Sequence, residues 1–127
     1  MRSGTSLGRA RGLGSAKAGT EHWLHQRITA GSNLFLTLWL LLSVARLPGF
    51  DHASVQSWLR SGWVAVPMIL LVVSVFYHFS LGLQVVIEDY QTDASRIVLL
   101  VLLNFFTVAA AGLAIFSILK VAFGAAA

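Results

Sequence analysis

Three long stretches of this chain carry no charged residue. They cover residues 28–45, between Arg27 and Arg46; residues 61–87, between Arg60 and Glu88; and residues 97–119, between Arg96 and Lys120. About 20 apolar residues in a helix cross a bilayer core of about 30 Å. The second and third stretches meet that length outright. The first falls slightly short, but Trp23 and Leu24 before it and Leu47 after it extend its apolar character. Inside lipid the backbone must satisfy its own hydrogen bonds, so such spans are helices or closed barrels. The two-residue alternation of a barrel strand is absent here. The pattern therefore predicts an all-α membrane protein with three transmembrane helices, at about 24–47, 62–88 and 95–120. Together they form one anchor domain over 21–123, preceded by an arm of residues 1–20.

Local signals sharpen the boundaries. Pro48-Gly49 ends the first span, because proline cannot continue a helical hydrogen-bond ladder. Residues 51–60 read as a short surface helix, with Asp51 or Ser54 as its N-cap. Pro67 lies early in the second span, where it either kinks the helix or marks its first turn. Trp23, Trp58 and Trp63 stand at span edges, where indole prefers lipid headgroups.

Composition agrees with lipid as the solvent. The 127 residues are 57% hydrophobic and 11% charged, against about 25% charged in ordinary soluble domains. The net charge of +4 would suggest nucleic acid in a soluble protein. Here the bases flank apolar spans, so they report topology instead. The arm through Arg27 has Arg2, Arg9, Arg11, Lys17 and Arg27, and the loop after the second helix adds Arg96. The opposite side has Arg46, Arg60 and Lys120. Positive-inside then places the N-terminus and the 88–96 loop in the cytoplasm, or on the matrix side of an organelle. The arm is basic and free of acids, as transit peptides are, but Gly4, Gly8, Gly12 and Gly14 oppose the amphipathic helix such peptides form. It reads as a flexible arm, which favours a bacterial cytoplasmic membrane over a mitochondrial one. With no cysteine, the chain has no disulfides, thiolate metal sites or cysteine nucleophile.

Few residues are left to carry chemistry. His78 lies deep in the second span, and ionisable groups there usually face a bundle interior or a cofactor. Two readings fit it equally: an axial ligand of haem iron, or a structural histidine bonded to a neighbouring helix. Ser74 and Gly82 flank it by one turn, and a small residue would let a flat porphyrin approach. No other histidine lies mid-membrane, so a second axial ligand would come from a partner. Asp89 follows His78 by eleven residues, on nearly the same helix face and roughly 16 Å along the axis. With Tyr90 it could hydrogen-bond a quinone carbonyl. The plainer reading is an interfacial tyrosine beside a solvated acidic loop, Glu88, Asp89 and Asp93. Arg27 either pairs with a haem propionate or snorkels to the headgroups. His22 and His25 read as interfacial. No hydrolytic set, phosphate loop or metal-ligand motif is present.

Two stretches together resemble the hydrophobic membrane anchor of succinate dehydrogenase, respiratory complex II. One is HFSLGLQVVIEDY, residues 78–90, and the other is GTEHWLHQRITA, residues 19–30. The resemblance implies that His78 is one axial ligand of haem b, the other coming from a paired cytochrome b subunit in a larger anchor bundle. It implies that Tyr90, supported by Asp89, contacts ubiquinone, and that Arg27 lies near the haem propionates. The implied partners are that cytochrome b subunit, an iron–sulfur subunit and a flavoprotein subunit, in complexes that can form trimers. Such a chain would be a non-catalytic subunit: succinate is oxidised elsewhere. The alternatives are the anchor of a quinol:fumarate reductase, and a non-redox packing or transport subunit. The near absence of intramembrane charge weakens a transporter.

Overall fold

A computed structural model describes residues 5–10 and 19–124 of the chain. Most of the arm of residues 1–20, including the expectation of flexibility there, lies outside the described residues. Among the described residues five helices occur in order: α1 (Ser6–Ala10), α2 (Gly19–Ala45), α3 (His52–Arg60), α4 (Gly62–Tyr90) and α5 (Asp93–Phe123). Among the described residues there is no strand. The three long helices are α2, α4 and α5, each apolar and long enough to cross a membrane. At 1.5 Å per residue they extend roughly 40 to 47 Å, more than a hydrocarbon core needs. Their ends therefore reach the headgroup layers, where tilt takes up any excess.

The expected spans were about 24–47, 62–88 and 95–120, and the helices run 19–45, 62–90 and 93–123. Glu21 stands in the first turn of α2, where a carboxylate favours the positive end of the helix dipole. Asp51, rather than Ser54, caps α3. Its Oδ2 accepts from the Ser54 amide at 3.1 Å and its Oδ1 from the Ser54 hydroxyl at 2.7 Å. Gly49 makes room for this, since a Cβ there would come within 2.9 Å of Asp51 Oδ1. Pro67 is inside α4, in its second turn, so it does not mark the helix start. A connection of two residues, Gln91 and Thr92, joins α4 to α5. Asp93 completes the reversal at φ 57°, in the left-handed region that Asp tolerates better than most residues.

The long helices form an open layer. α4 packs against α2 and against α5, while α2 and α5 do not approach each other, and α3 rests on α4 and α5. Of the eight buried residues among those described, Val64, Ala65, Leu71, Ser74, Leu81 and Ile87 belong to α4. Val64, Leu71 and His78 fall at seven-residue intervals, as do Ser74 and Leu81. That repeat is the seam of left-handed helix packing. Only 6% of the most apolar stretch of α2 and of α5 is buried, and 22% of that of α4. The remaining apolar surface, including Phe35, Phe105, Phe106 and Phe116, needs lipid or another membrane protein against it.

Candidate functional site

The N-terminal half of α2 runs antiparallel beside the C-terminal half of α4. Two of the buried residues are polar, Thr29 of α2 at 8% exposure and Ser74 of α4 at 9%. Both serve the same cluster around His78. The Thr29 hydroxyl oxygen lies 2.8 Å from the His25 carbonyl, 3.2 Å from the Gln26 carbonyl and 2.9 Å from His78 Nδ1. The Ser74 hydroxyl donates to the Thr29 carbonyl at 3.4 Å. A helical threonine commonly returns its proton to the carbonyl one turn back, which satisfies it without water. Here the same oxygen also reaches across to the next helix.

His78 is half-buried. Its Nδ1 is taken by Thr29, and Nε2 makes no hydrogen bond among the described residues. The interhelical bond of the structural reading is therefore present, yet it occupies one ring nitrogen and leaves the other. Gly82, one turn on from His78, faces α2, where a Cβ would sit 3.5 Å from Gln26 Nε2, an ordinary contact.

Charge patterning did not reveal Thr29. The signal was a polar stripe on α2: His22, Gln26, Thr29 and Asn33, spaced by four, three and four residues along one helix face. His22 Nε2, Gln26 Oε1 and Asn33 Oδ1 are buried without a hydrogen-bond partner among the described residues. Tyr77 was also missed. Its hydroxyl lies 3.1 Å from His25 Nδ1, with the two rings 5.9 Å apart.

Arg27 shares the depth of His78, two residues or about 3 Å along α2 from Thr29. Two residues turn a helix by about 200°, so Arg27 points away from the α4 contact. Its guanidinium lies over the Trp23 ring, 5.5 Å from the centroid. Among the described residues it pairs with no carboxylate.

The acidic end of α4 divides in two. Glu88 is engaged, accepting from Gln84 at 3.0 Å and pairing with Arg96 of α5 at 3.5 Å. Asp89 and Tyr90 are exposed, Tyr90 at 80%. Neither makes a side-chain hydrogen bond among the described residues. His78 and this pair thus lie on one helix, separated by roughly 16 to 18 Å of rise. No group of three or more metal-ligating side chains occurs among the described residues. A haem iron would need only one ligand from this chain.

Residues 1–111 match the family described as succinate dehydrogenase/fumarate reductase transmembrane subunit. A succinate dehydrogenase hydrophobic membrane anchor subunit of Rickettsia bellii is 40% identical over 82 residues, 65% of this chain and 66% of that protein. The protein of the same name from Rickettsia conorii is 36% identical over 83 residues, again 65% and 66% of the two chains. The Paracoccus denitrificans protein of that name is 27% identical over 125 residues, 98% of this chain and 97% of that one. No solved structure matches the chain. With this family match over most of its length and three helices apolar and long enough to cross a membrane, the chain belongs to the succinate dehydrogenase/fumarate reductase transmembrane subunit family.

Proposed function

We propose that this chain anchors a succinate:ubiquinone oxidoreductase in a bacterial cytoplasmic membrane, with its N-terminus and the 88–96 loop on the cytoplasmic side. Six basic residues on that side against three on the other support the orientation. It holds a flavoprotein and an iron–sulfur subunit at the membrane and pairs with a cytochrome b subunit. The open helix layer supports the last point, because α2 and α5 leave both faces of α4 partly uncovered. The anchor names of the relatives support the rest.

The single observation that carries the reading is the state of His78. A haem ligand needs one imidazole nitrogen held and the other available, and His78 has Nδ1 on Thr29 with Nε2 unbonded. The residues present therefore fit a haem b, with the second ligand from the partner subunit. When bound, that haem supplies a one-electron store beside the quinone path. His78 provides its Nε2 from the seam of α4. Arg27, which pairs with no carboxylate among the described residues, would bring its positive charge to the same depth, on the flank of α2 turned from α4, for a propionate. Tyr90 offers its phenol hydroxyl to a ubiquinone carbonyl at the cytoplasmic end of α4, and Asp89 beside it exchanges protons with water. Succinate is oxidised on the other subunits.

The test is purification of the tagged chain from membranes of its own organism. A flavoprotein, an iron–sulfur protein and a b-type haem absorption should come with it. Recovery without any of these would refute the anchor reading.

A further inference from the structure

We propose that Thr29 is the positioning residue for His78: its oxygen accepts the Nδ1 proton, sets the ring tautomer and fixes the direction in which Nε2 points. This rests on the reading of His78 as a haem ligand and goes one shell further out.

A threonine hydroxyl has one proton to give and two lone pairs. Two carbonyls lie within reach of that proton, His25 at 2.8 Å and Gln26 at 3.2 Å. A third neighbour, His78 Nδ1, lies at 2.9 Å. With the proton spent on the closer carbonyl, only a lone pair faces the imidazole. The ring must then donate from Nδ1, which leaves the lone pair on Nε2. That is the tautomer an iron ligand requires.

The hydroxyl is also held still. Thr29 is buried, its β-branched side chain has few rotamers in a helix, and its carbonyl accepts from Ser74, one turn from His78 on α4. A fixed acceptor on Nδ1 has two consequences. It orients the ring, and it raises the basicity of the opposite nitrogen. A more basic ligand favours ferric over ferrous iron and lowers the haem potential. Loss of such a partner typically weakens metal binding by about 10- to 100-fold. A purely adhesive contact between helices would have neither electronic effect.

The experiment uses the whole purified complex with Thr29→Val and Thr29→Ser, and reads three quantities besides activity. These are haem per flavin, the midpoint potential of the b-type haem, and the largest g value of its low-spin electron paramagnetic resonance. Thr29→Val should raise the potential, shift the g value and weaken haem retention by about 10- to 100-fold. Thr29→Ser keeps the hydroxyl and should match the wild type. Unchanged potential and g value in Thr29→Val would overturn the proposal. Thr29→Ala replaces it if the valine variant fails to assemble. If neither assembles while Thr29→Ser does, the hydroxyl serves folding alone and the proposal falls. His78→Leu in the same series separates the two layers. If it keeps the bis-histidine spectrum, the ligand reading fails and this proposal with it. If it loses the spectrum while Thr29→Val behaves as wild type, only the role of Thr29 fails.

Discussion

Replacing Tyr90 by Phe removes one oxygen from the proposed quinone contact and little else. Tyr90 is 80% exposed and its hydroxyl bonds nothing among the described residues, so the fold loses no interaction. The backbone there is held independently, because the Gln91 amide donates to the Ile87 carbonyl at 2.9 Å. The expected loss is one neutral hydrogen bond to a quinone carbonyl, about 0.5 to 1.5 kcal/mol. That corresponds to roughly a 2- to 13-fold fall in kcat/KM for ubiquinone. If the phenol only binds quinone, the loss appears in KM; if it also polarises the carbonyl during reduction, kcat falls too. The assay is succinate–ubiquinone reductase activity of the purified complex across a quinone titration. Succinate oxidation with an artificial dye acceptor serves as the control and should not change. An unaltered ubiquinone kcat/KM, with normal flavin and iron–sulfur content, would refute the role of Tyr90.

Other consequences concern the parts that hold this site. Asp93 sits at φ 57°, so Asp93→Val should cost about 1 to 2 kcal/mol and lower the thermal midpoint, while Asp93→Gly should not. Trp58 Nε1 donates to Ser43 Oγ at 2.9 Å. Trp58→Phe should loosen α3 by about 0.5 to 1.5 kcal/mol, seen as faster amide exchange over residues 52–60 with quinone activity intact. The Ser54 hydroxyl and amide hold the Asp51 carboxyl below its ordinary pKa of 3.8. A lowered folded pKa means the cap's contribution is fully present above 3.8 and is lost as pH falls through the lower folded value. Amide exchange at the start of α3 should therefore change its pH dependence only below about 3.8, and Asp51→Ala should abolish that feature.

Charge-free length was enough to find the three spans, because a bilayer admits little else. The order of the layer was not legible. α4 and α5 are apolar around most of their circumference, and the polar stripe of α2 marks only its own contact face, so periodicity does not say which helix is central. The small and polar residues of α4, Ala65, Ser74 and Gly82, were the available hint, since such residues let membrane helices approach closely. His78 was visible by depth, whereas its partner was not. A threonine in an apolar helix usually satisfies itself on its own backbone, and only the 22, 26, 29, 33 stripe marks the face of α2 that meets α4. Arg27 shows the limit of linear proximity. It stands two residues from Thr29 and at the depth of His78, yet helical rotation turns it to the other side.

His78 is proposed to offer Nε2 to a haem shared with a partner subunit. The direct measurement is the reduced-minus-oxidised absorption spectrum of the purified His78→Leu complex, normalised to its flavin content. The bis-histidine b-type spectrum should disappear while flavin and iron–sulfur signals remain. A haem spectrum of wild-type shape and intensity in that variant would contradict it.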